Sequence, residues 1–160
     1  DLRSADQPTS GTPFRQIASA EAAAGRAIDY TVYGIARCAN TLALFDDADA
    51  LGVTYVEDIH CTTRHLDGVL TSVAQVLKRA EVVHLSIDLD VLAAGVAPGV
   101  SAPAAFGVPL EVVLAICELV ASSHQLTIVD IAELNPTFDI DGRTARVAAR
   151  LIDTITNALP

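Results

Sequence analysis

Apolar residues follow two alternating patterns along the chain: short unbroken runs and longer stretches with helical spacing. The short runs are rich in Val, Ile and Leu, which is typical of strands buried in a parallel sheet, and cover residues 28–36, 53–56, 81–87 and 125–131. The longer stretches repeat an apolar residue every three or four positions and cover residues 14–26, 41–51, 63–80, 109–121 and the chain from about Gly142. Because strands alternate with helices, we predict an α/β fold with three layers (α/β/α), in which helices cover both faces of a mainly parallel sheet.

Two carboxylates stand at the end of the third strand, at Asp88 and Asp90. On an extended backbone, side chains two positions apart leave the same side of the strand, and ligands bind at the carboxyl ends of strands in α/β sheets. Adjacent negative charges need compensation, and hard oxygen ligands suit Mg²⁺ or Mn²⁺. The alternative is that both residues belong to a solvated turn. The following segment, from Gly95 to Gly107, has neither helical nor strand spacing and carries little charge, which indicates an ordered functional loop.

Composition and charge exclude several classes of function. The net charge is −10 and no basic stripe occurs, so we expect no nucleic-acid partner. No run of 18 apolar residues exists, so we expect no membrane span.

The cysteines are odd in number, widely spaced and lack a C-x-x-C motif, which favours buried, reduced thiols and a cytoplasmic location; they are Cys38, Cys61 and Cys117. No Met occurs, so we expect that the sequence does not begin at a translation start.

Three blocks of sequence resemble a known family. SIDLDVLAAGVAPGVSAPAAFGV resembles the S-x-D-x-D signature and following loop of the ureohydrolases, the superfamily of arginases, agmatinases and formimidoylglutamases. DIAELNPTFDIDGRTARVAARLI, from Asp130 to Ile152, resembles the D-x-x-E-x-N-P motif of that superfamily. DLRSADQPTSGTPFRQI, from Asp1 to Ile17, is similar to the sequence that follows the D-x-H-x-D motif in formimidoylglutamases. The chain is therefore identified as a member of the superfamily, and the resemblance implies that residues 1–160 are the C-terminal part of a single domain whose N-terminal strands and histidine ligands lie upstream.

The resemblance implies a site with two Mn²⁺ ions and a small-molecule substrate. By position in the motifs, Asp1, Asp88 and Asp90 would be metal ligands. Glu133 would pair with the guanidinium or formimidoyl group, and Asp130 would support the site from nearby. For Glu133 the alternative is a helix cap, and for Asp1 it is a frayed terminus.

Within the superfamily, the motifs favour a formimidoylglutamase. The reaction would convert N-formimidoyl-L-glutamate and water to L-glutamate and formamide, a step of histidine degradation, in a cytoplasmic homo-oligomer. Arginases carry a His in an S-G-N-L-H-G segment, and the aligned SGTPFRQ has none. The two substrate carboxylates call for cationic side chains, for which Arg3, Arg15 and Arg37 are candidates; Asn40 matches a family S/A-N-T position. The four histidines are predicted not to be ligands; they are His60, His65, His84 and His124.

Three alternatives remain open at this point. The first is an agmatinase, guanidinobutyrase or arginase that releases urea. The second is a phosphatase of the haloacid dehalogenase type, although its motif prefers Thr or Val where this chain has Leu92. The third is an inert fragment that lacks a complete ligand set and so hydrolyses nothing.

Overall fold

The structure is a computed structural model that describes residues 2–160, and the chain forms two compact units that divide after Val56. The helices are α1 (Pro13–Ala23), α2 (Leu42–Ala50), α3 (Leu66–Arg79), α4 (Leu110–Ala121) and α5 (Arg143–Ala158). The strands are β1 (Thr31–Ile35), β2 (Thr54–Glu57), β3 (Val83–Asp88) and β4 (Leu126–Ala132). Short 3-10 turns cover Arg37–Ala39, Asp58–His60, Thr63–His65 and Leu89–Val91.

In the first unit, β1 pairs with β2, and two pairs of aromatic rings are in contact. Phe14 of α1 stacks on Tyr30 with ring centroids 4.5 Å apart, and Phe45 of α2 meets Tyr55 edge-on at 5.4 Å. Pro13 occupies the first helical position of α1, where its fixed φ is compatible with the helix. Thr12, however, does not cap α1: its hydroxyl donates to the carbonyl of Thr9 and accepts from the amide of Thr9.

In the second unit, β3 and β4 form a parallel pair whose carboxyl ends coincide. Ser86 lies opposite Asp130, and Asp88 lies opposite Ala132. Helix α4 packs against both α3 and α5. The apolar faces of these helices are largely buried, as expected for amphipathic helices, at Val69, Val73 and Leu77 of α3, Val112, Val113, Cys117, Val120 and Ala121 of α4, and Leu151 and Ile155 of α5. Ile152 and Leu159, which were predicted to belong to the buried stripe of α5, are exposed.

The predicted α/β class is confirmed by this alternation and by the parallel pairing of β3 with β4. Every predicted helix and strand is present, with ends that differ by up to three residues. Within residues 2–160, no helix combines the length and apolarity that a membrane span requires. The prediction that all thiols are buried is wrong for Cys38, which is exposed; Cys61 and Cys117 are buried. Burial raises the pKa of Cys117 to about 12, which fits a core residue and not a nucleophile.

Helix α5 begins with a carboxylate that accepts from its first amides. Oδ1 of Asp139 accepts from the amide of Thr144 at 2.8 Å, and Oδ2 accepts from the amide of Ala145 at 3.0 Å. Partial burial acts to raise the pKa of Asp139, but these hydrogen bonds and the charge of Arg143 outweigh it and lower the pKa. The ionised side chain therefore stabilises the start of the helix.

Replacing Asp139 with alanine is expected to lower the melting temperature at pH 7. The folded-state pKa is depressed, so the stabilising contribution is present above the unfolded-state pKa and is lost as the pH falls through the folded-state value. The melting-temperature difference between wild type and Asp139→Ala should therefore shrink below about pH 4. Thermal melts from pH 7 to pH 3 measure this, with Asp6→Ala in an exposed loop as the control. A difference that stays constant across the series would contradict the capping role.

Candidate metal and substrate site

The carboxylates Asp88 and Asp90 stand where β3 ends, but the backbone between them is not extended. Strand β3 ends at Asp88, and Leu89–Val91 forms a 3-10 turn. The side chains of Leu89 and Leu92 are both fully buried, so the turn follows a three-residue apolar spacing. The predicted reason for the proximity of the two acids, strand alternation, is therefore wrong.

The two carboxylates nevertheless repel each other in a partly buried setting. Burial, followed by the charges of Asp88 and Glu133, raises the pKa of Asp90 to about 6. Burial also raises the pKa of Asp88, and the charges of Glu133 and Asp130 add to that effect. Across residues 2–160, no Lys, Arg or His side chain forms an ion pair with Asp88, Asp90 or Glu133. The site is therefore acidic, and the described residues do not neutralise it.

Glu133 follows directly after β4, in an unusual backbone conformation. Its φ is 69°, in the left-handed region that non-glycine residues seldom adopt. Because Ala132 pairs with Asp88 across the sheet, Glu133 lies at the strand end adjacent to that carboxylate. No helix starts until Arg143, so the alternative in which Glu133 caps a helix is wrong. The carboxylate that accepts from the first amides of that helix is Asp139.

Asp130 is held by two side chains of β3. Ser86 Oγ donates to its Oδ1 at 2.6 Å, and its Oδ2 shares a hydrogen bond with Nε2 of His84. The carboxylate is therefore engaged within the sheet, which is compatible with the predicted supporting role. The sequence reasoning missed the contacts of His84 and Ser86. Their two-residue spacing on β3, on the face that Asp130 shares, is the signal that could have indicated them.

The donor chemistry suits a hard divalent cation, but the described residues supply only part of a ligand set. Asp88 and Asp90 offer partly buried carboxylate oxygens, which Mn²⁺ accepts. In the part of the chain that the structure describes, no group of three or more His, Cys, Asp or Glu side chains is arranged to hold a metal. Asp1, the third predicted ligand, lies outside the described residues.

In the first unit, the structure brings two of the predicted substrate-binding residues together. Arg3 and Arg15 line one cavity of about 360 Å³, and the other residues that line it are Ser4, Ala5, Thr12, Gln16 and Ser19. Nη1 of Arg15 also pairs with Oδ1 of Asp47 at 3.2 Å.

The other two predicted substrate-binding residues do not line this cavity. The side-chain amide of Asn40 donates to the carbonyl of Ala36 at 2.9 Å. The guanidinium of Arg37 lies 4.7 Å from the ring centre of Phe45, so Arg37 packs on an aromatic ring.

Comparison with known proteins gives a consistent result. A sequence profile of the Arginase family matches residues 1–157. A formimidoylglutamase of Rhodococcus jostii is 53% identical over 161 aligned residues, which cover 100% of this chain and 50% of that relative. The chain thus spans about half the length of the curated relatives that it matches.

Solved structures agree on the fold. The formimidoylglutamase of Bacillus subtilis superposes on this chain with a TM-score of 0.87 at 24% identity. The superposition includes 98% of this chain and 49% of the Bacillus subtilis chain. A formiminoglutamase from Trypanosoma cruzi, solved with Mn²⁺, superposes with a TM-score of 0.74 at 19% identity, with coverage of 96% and 52%. These likenesses confirm the predicted arginase-like α/β architecture.

Proposed function

This chain belongs to the arginase family, and on that premise we propose that the complete protein hydrolyses N-formimidoyl-L-glutamate to L-glutamate and formamide. The observation that carries the proposal is the juxtaposition of Asp88, Asp90 and Glu133 at adjoining strand ends. The whole length of the chain is similar to relatives named formimidoylglutamase, which favours this substrate over others of the family. Family membership also shows that the phosphatase alternative is wrong.

The chemistry requires a strong nucleophile and a carboxylate aligned with a cation. The carbon of an amidinium is a poor electrophile because its positive charge is delocalised over the nitrogens. Asp88 and Asp90 would hold two manganese ions together with ligands outside the described residues. When bound, such ions supply the Lewis acidity that makes water nucleophilic at neutral pH. The Mn²⁺ in the Trypanosoma cruzi relative supports the choice of metal.

Glu133 would bind the amidinium of the substrate. Its carboxylate has no ion-pair partner among residues 2–160, so it can accept charge-assisted hydrogen bonds from the two nitrogens of the formimidoyl group. Asp130 is already engaged by Ser86 and His84, so we assign it a supporting role in the catalytic machinery and not a contact with the reacting carbon.

The two carboxylates of the substrate call for cationic and amide side chains. Arg3 and Arg15 face one cavity, and an Arg guanidinium presents the planar fork of donors that a carboxylate accepts. Asn40 is the third candidate. We further propose that the chain forms the C-terminal part of a single catalytic domain of a cytoplasmic homo-oligomer that acts in histidine degradation.

A substrate panel tests the proposal. The complete, manganese-loaded protein is incubated with N-formimidoyl-L-glutamate, arginine, agmatine and guanidinobutyrate, and formamide and urea are quantified. We expect formamide from the first substrate and little urea from the others. Urea release from a guanidine without formamide release would reassign the protein to a guanidine hydrolase. No turnover at all would favour an inactive protein.

The variant Glu133→Gln should lower kcat/KM for N-formimidoyl-L-glutamate about a hundredfold, because about 3 kcal/mol of charged hydrogen bonding is lost.

A further inference from the structure

Two segments of the second unit, one that directly follows Asp90 and one that begins at Glu133, are joined around one glycine. The loop 91–108 starts within the 3-10 turn that holds Asp90, and the segment 133–142 starts at Glu133. The amide of Asn135 donates to the carbonyl of Gly99 at 2.7 Å, and the amide of Gly99 donates to Oγ1 of Thr144 at 2.7 Å. Nδ2 of Asn135 donates to Oγ of Ser101 at 3.0 Å. We call Gly99, Ser101, Asn135 and Thr144 the loop clamp.

The centre of the loop clamp is closely packed and buried. Thr144 has 0% exposure and Gly99 is buried, so their hydrogen bond lies in a medium where an unmade bond is costly. A Cβ on Gly99 would lie 2.8 Å from Cα of Asp139, so the two backbones are in direct contact. Asp139 in turn accepts from the amide of Thr144 at 2.8 Å, which fixes the residue that receives the Gly99 amide.

Glu133 depends on such fixation because its backbone is strained. A non-glycine residue in the left-handed region is disfavoured by the contact of its Cβ with the backbone, and such a conformation persists where the surroundings impose it. Strand β4 fixes the chain up to Ala132, directly before Glu133. The bond from Asn135 to Gly99 fixes the chain two residues after Glu133. The same glycine anchors the middle of the loop that follows Asp90.

From these contacts we infer that Thr144 and Asn135 are positioning residues. They fix the position of the amidinium-binding Glu133 relative to the loop 91–108. The inference rests on the proposed function, since it assigns to Glu133 a contact with substrate. Neither positioning residue need touch the substrate. A displacement of about 1 Å at a reacting centre can reduce a rate by a hundredfold, so a hydroxyl remote from the chemistry can affect turnover.

The experiment compares two replacements of Thr144 in the complete, manganese-loaded protein. Thr144→Val keeps the shape of the side chain but removes the acceptor for the Gly99 amide; Thr144→Ser keeps the acceptor. We expect Thr144→Val to lower kcat/KM for N-formimidoyl-L-glutamate about tenfold or more, and Thr144→Ser to stay within about threefold of wild type. In the metal-free protein, amide hydrogen exchange across residues 91–108 should accelerate in Thr144→Val and stay unchanged in Thr144→Ser.

A second variant separates positioning from general destabilisation. Ile155 is a buried residue of the same helix and makes none of the hydrogen bonds of the loop clamp. Ile155→Val should lower the melting temperature by a few degrees and leave kcat/KM unchanged well below that temperature. The inference is overturned if Thr144→Val retains wild-type kcat/KM, or if Ile155→Val loses as much activity as Thr144→Val.

Failure of the inference and failure of the proposed function give different results. If wild type releases formamide and Thr144→Val does so equally well, the proposed function stands and the positioning role falls. If wild type releases no formamide, the proposed function falls and Glu133 loses its assigned role. The exchange rates of residues 91–108 then still decide whether Thr144 holds the loop: unchanged rates in Thr144→Val overturn that contact as well.

Discussion

Replacing Asp90 with asparagine in the complete protein is expected to reduce formamide release about a thousandfold. Asp90 is one of two partly buried carboxylates that would hold the metal, and an amide is a neutral, weaker ligand. Loss of metal-assisted activation corresponds to several kcal/mol of transition-state stabilisation, and about 4 kcal/mol is a factor of a thousand. Initial rates with N-formimidoyl-L-glutamate and the manganese content per chain measure the two consequences together.

The metal-free Asp90→Asn variant should fold at least as stably as wild type. The raised pKa, about 6, means that the folded state disfavours the ionised carboxylate. Stability linked to this group therefore falls as the pH rises from the unfolded-state pKa to the folded-state value, and at pH 7 the charge is a net cost that asparagine removes. Glu118→Gln neutralises an exposed carboxylate of α4 and should change neither activity nor metal content. An Asp90→Asn variant with near wild-type turnover and full manganese content would remove Asp90 from the site.

Replacing Gly107 with alanine is expected to lower the free energy of unfolding by on the order of 3 kcal/mol or more. Gly107 has φ 70°, and a Cβ there would overlap the backbone nitrogen of Ala93 and lie 2.6 Å from its Cα. The obstacle is backbone, so no side-chain rotation relieves it. Two backbone hydrogen bonds join the two chain segments at this contact. The amide of Val108 donates to the carbonyl of Val91 at 2.7 Å, and the amide of Ala94 donates to the carbonyl of Ala104 at 3.0 Å. Both ends of the loop after Asp90 would be displaced.

Gly95 provides the matched control in the same loop. It has no positive φ, and a Cβ added there meets nothing within 4 Å. Gly95→Ala should therefore change stability by less than about 0.5 kcal/mol. Urea denaturation of both variants gives the comparison. Equal stability of Gly107→Ala and Gly95→Ala would contradict the close approach of Gly107 to the backbone of Ala93.

Local sequence patterns predicted the elements well because helices and strands leave a repeat in the chain. The apolar stripe of α3 reports the buried face of that helix. The unbroken run of β3 correctly indicates a strand, but its predicted burial is observed only at Ile87. The D-x-D spacing was misread because Leu89 and Leu92 are three apart and both buried, which favours a 3-10 turn over an extended end. The acids lie close together for a different reason from the one that the spacing suggested.

Contacts between distant residues were beyond local reasoning. Ser86 and Asp130 are 44 positions apart, and Gly99 and Thr144 are 45 apart, so their hydrogen bonds arise from the pairing of β3 with β4 and from the docking of the loop after Asp90. The left-handed backbone of Glu133 was equally hidden, because glutamate does not signal a positive φ. The motif resemblance indicated Glu133 and Asp130 as candidates, while the contacts of His84, Ser86, Asn135 and Thr144 needed the structure.

Anomalous diffraction at the manganese absorption edge, from crystals of the complete protein grown with Mn²⁺ and a non-hydrolysable formimidoyl analogue, examines the site itself. We predict two manganese peaks within coordination distance of carboxylate oxygens of Asp88 and Asp90, with the carboxylate of Glu133 hydrogen-bonded to the amidine nitrogens. Manganese peaks that contact neither Asp88 nor Asp90, or a Glu133 side chain directed away from the analogue, would contradict the proposed catalytic centre.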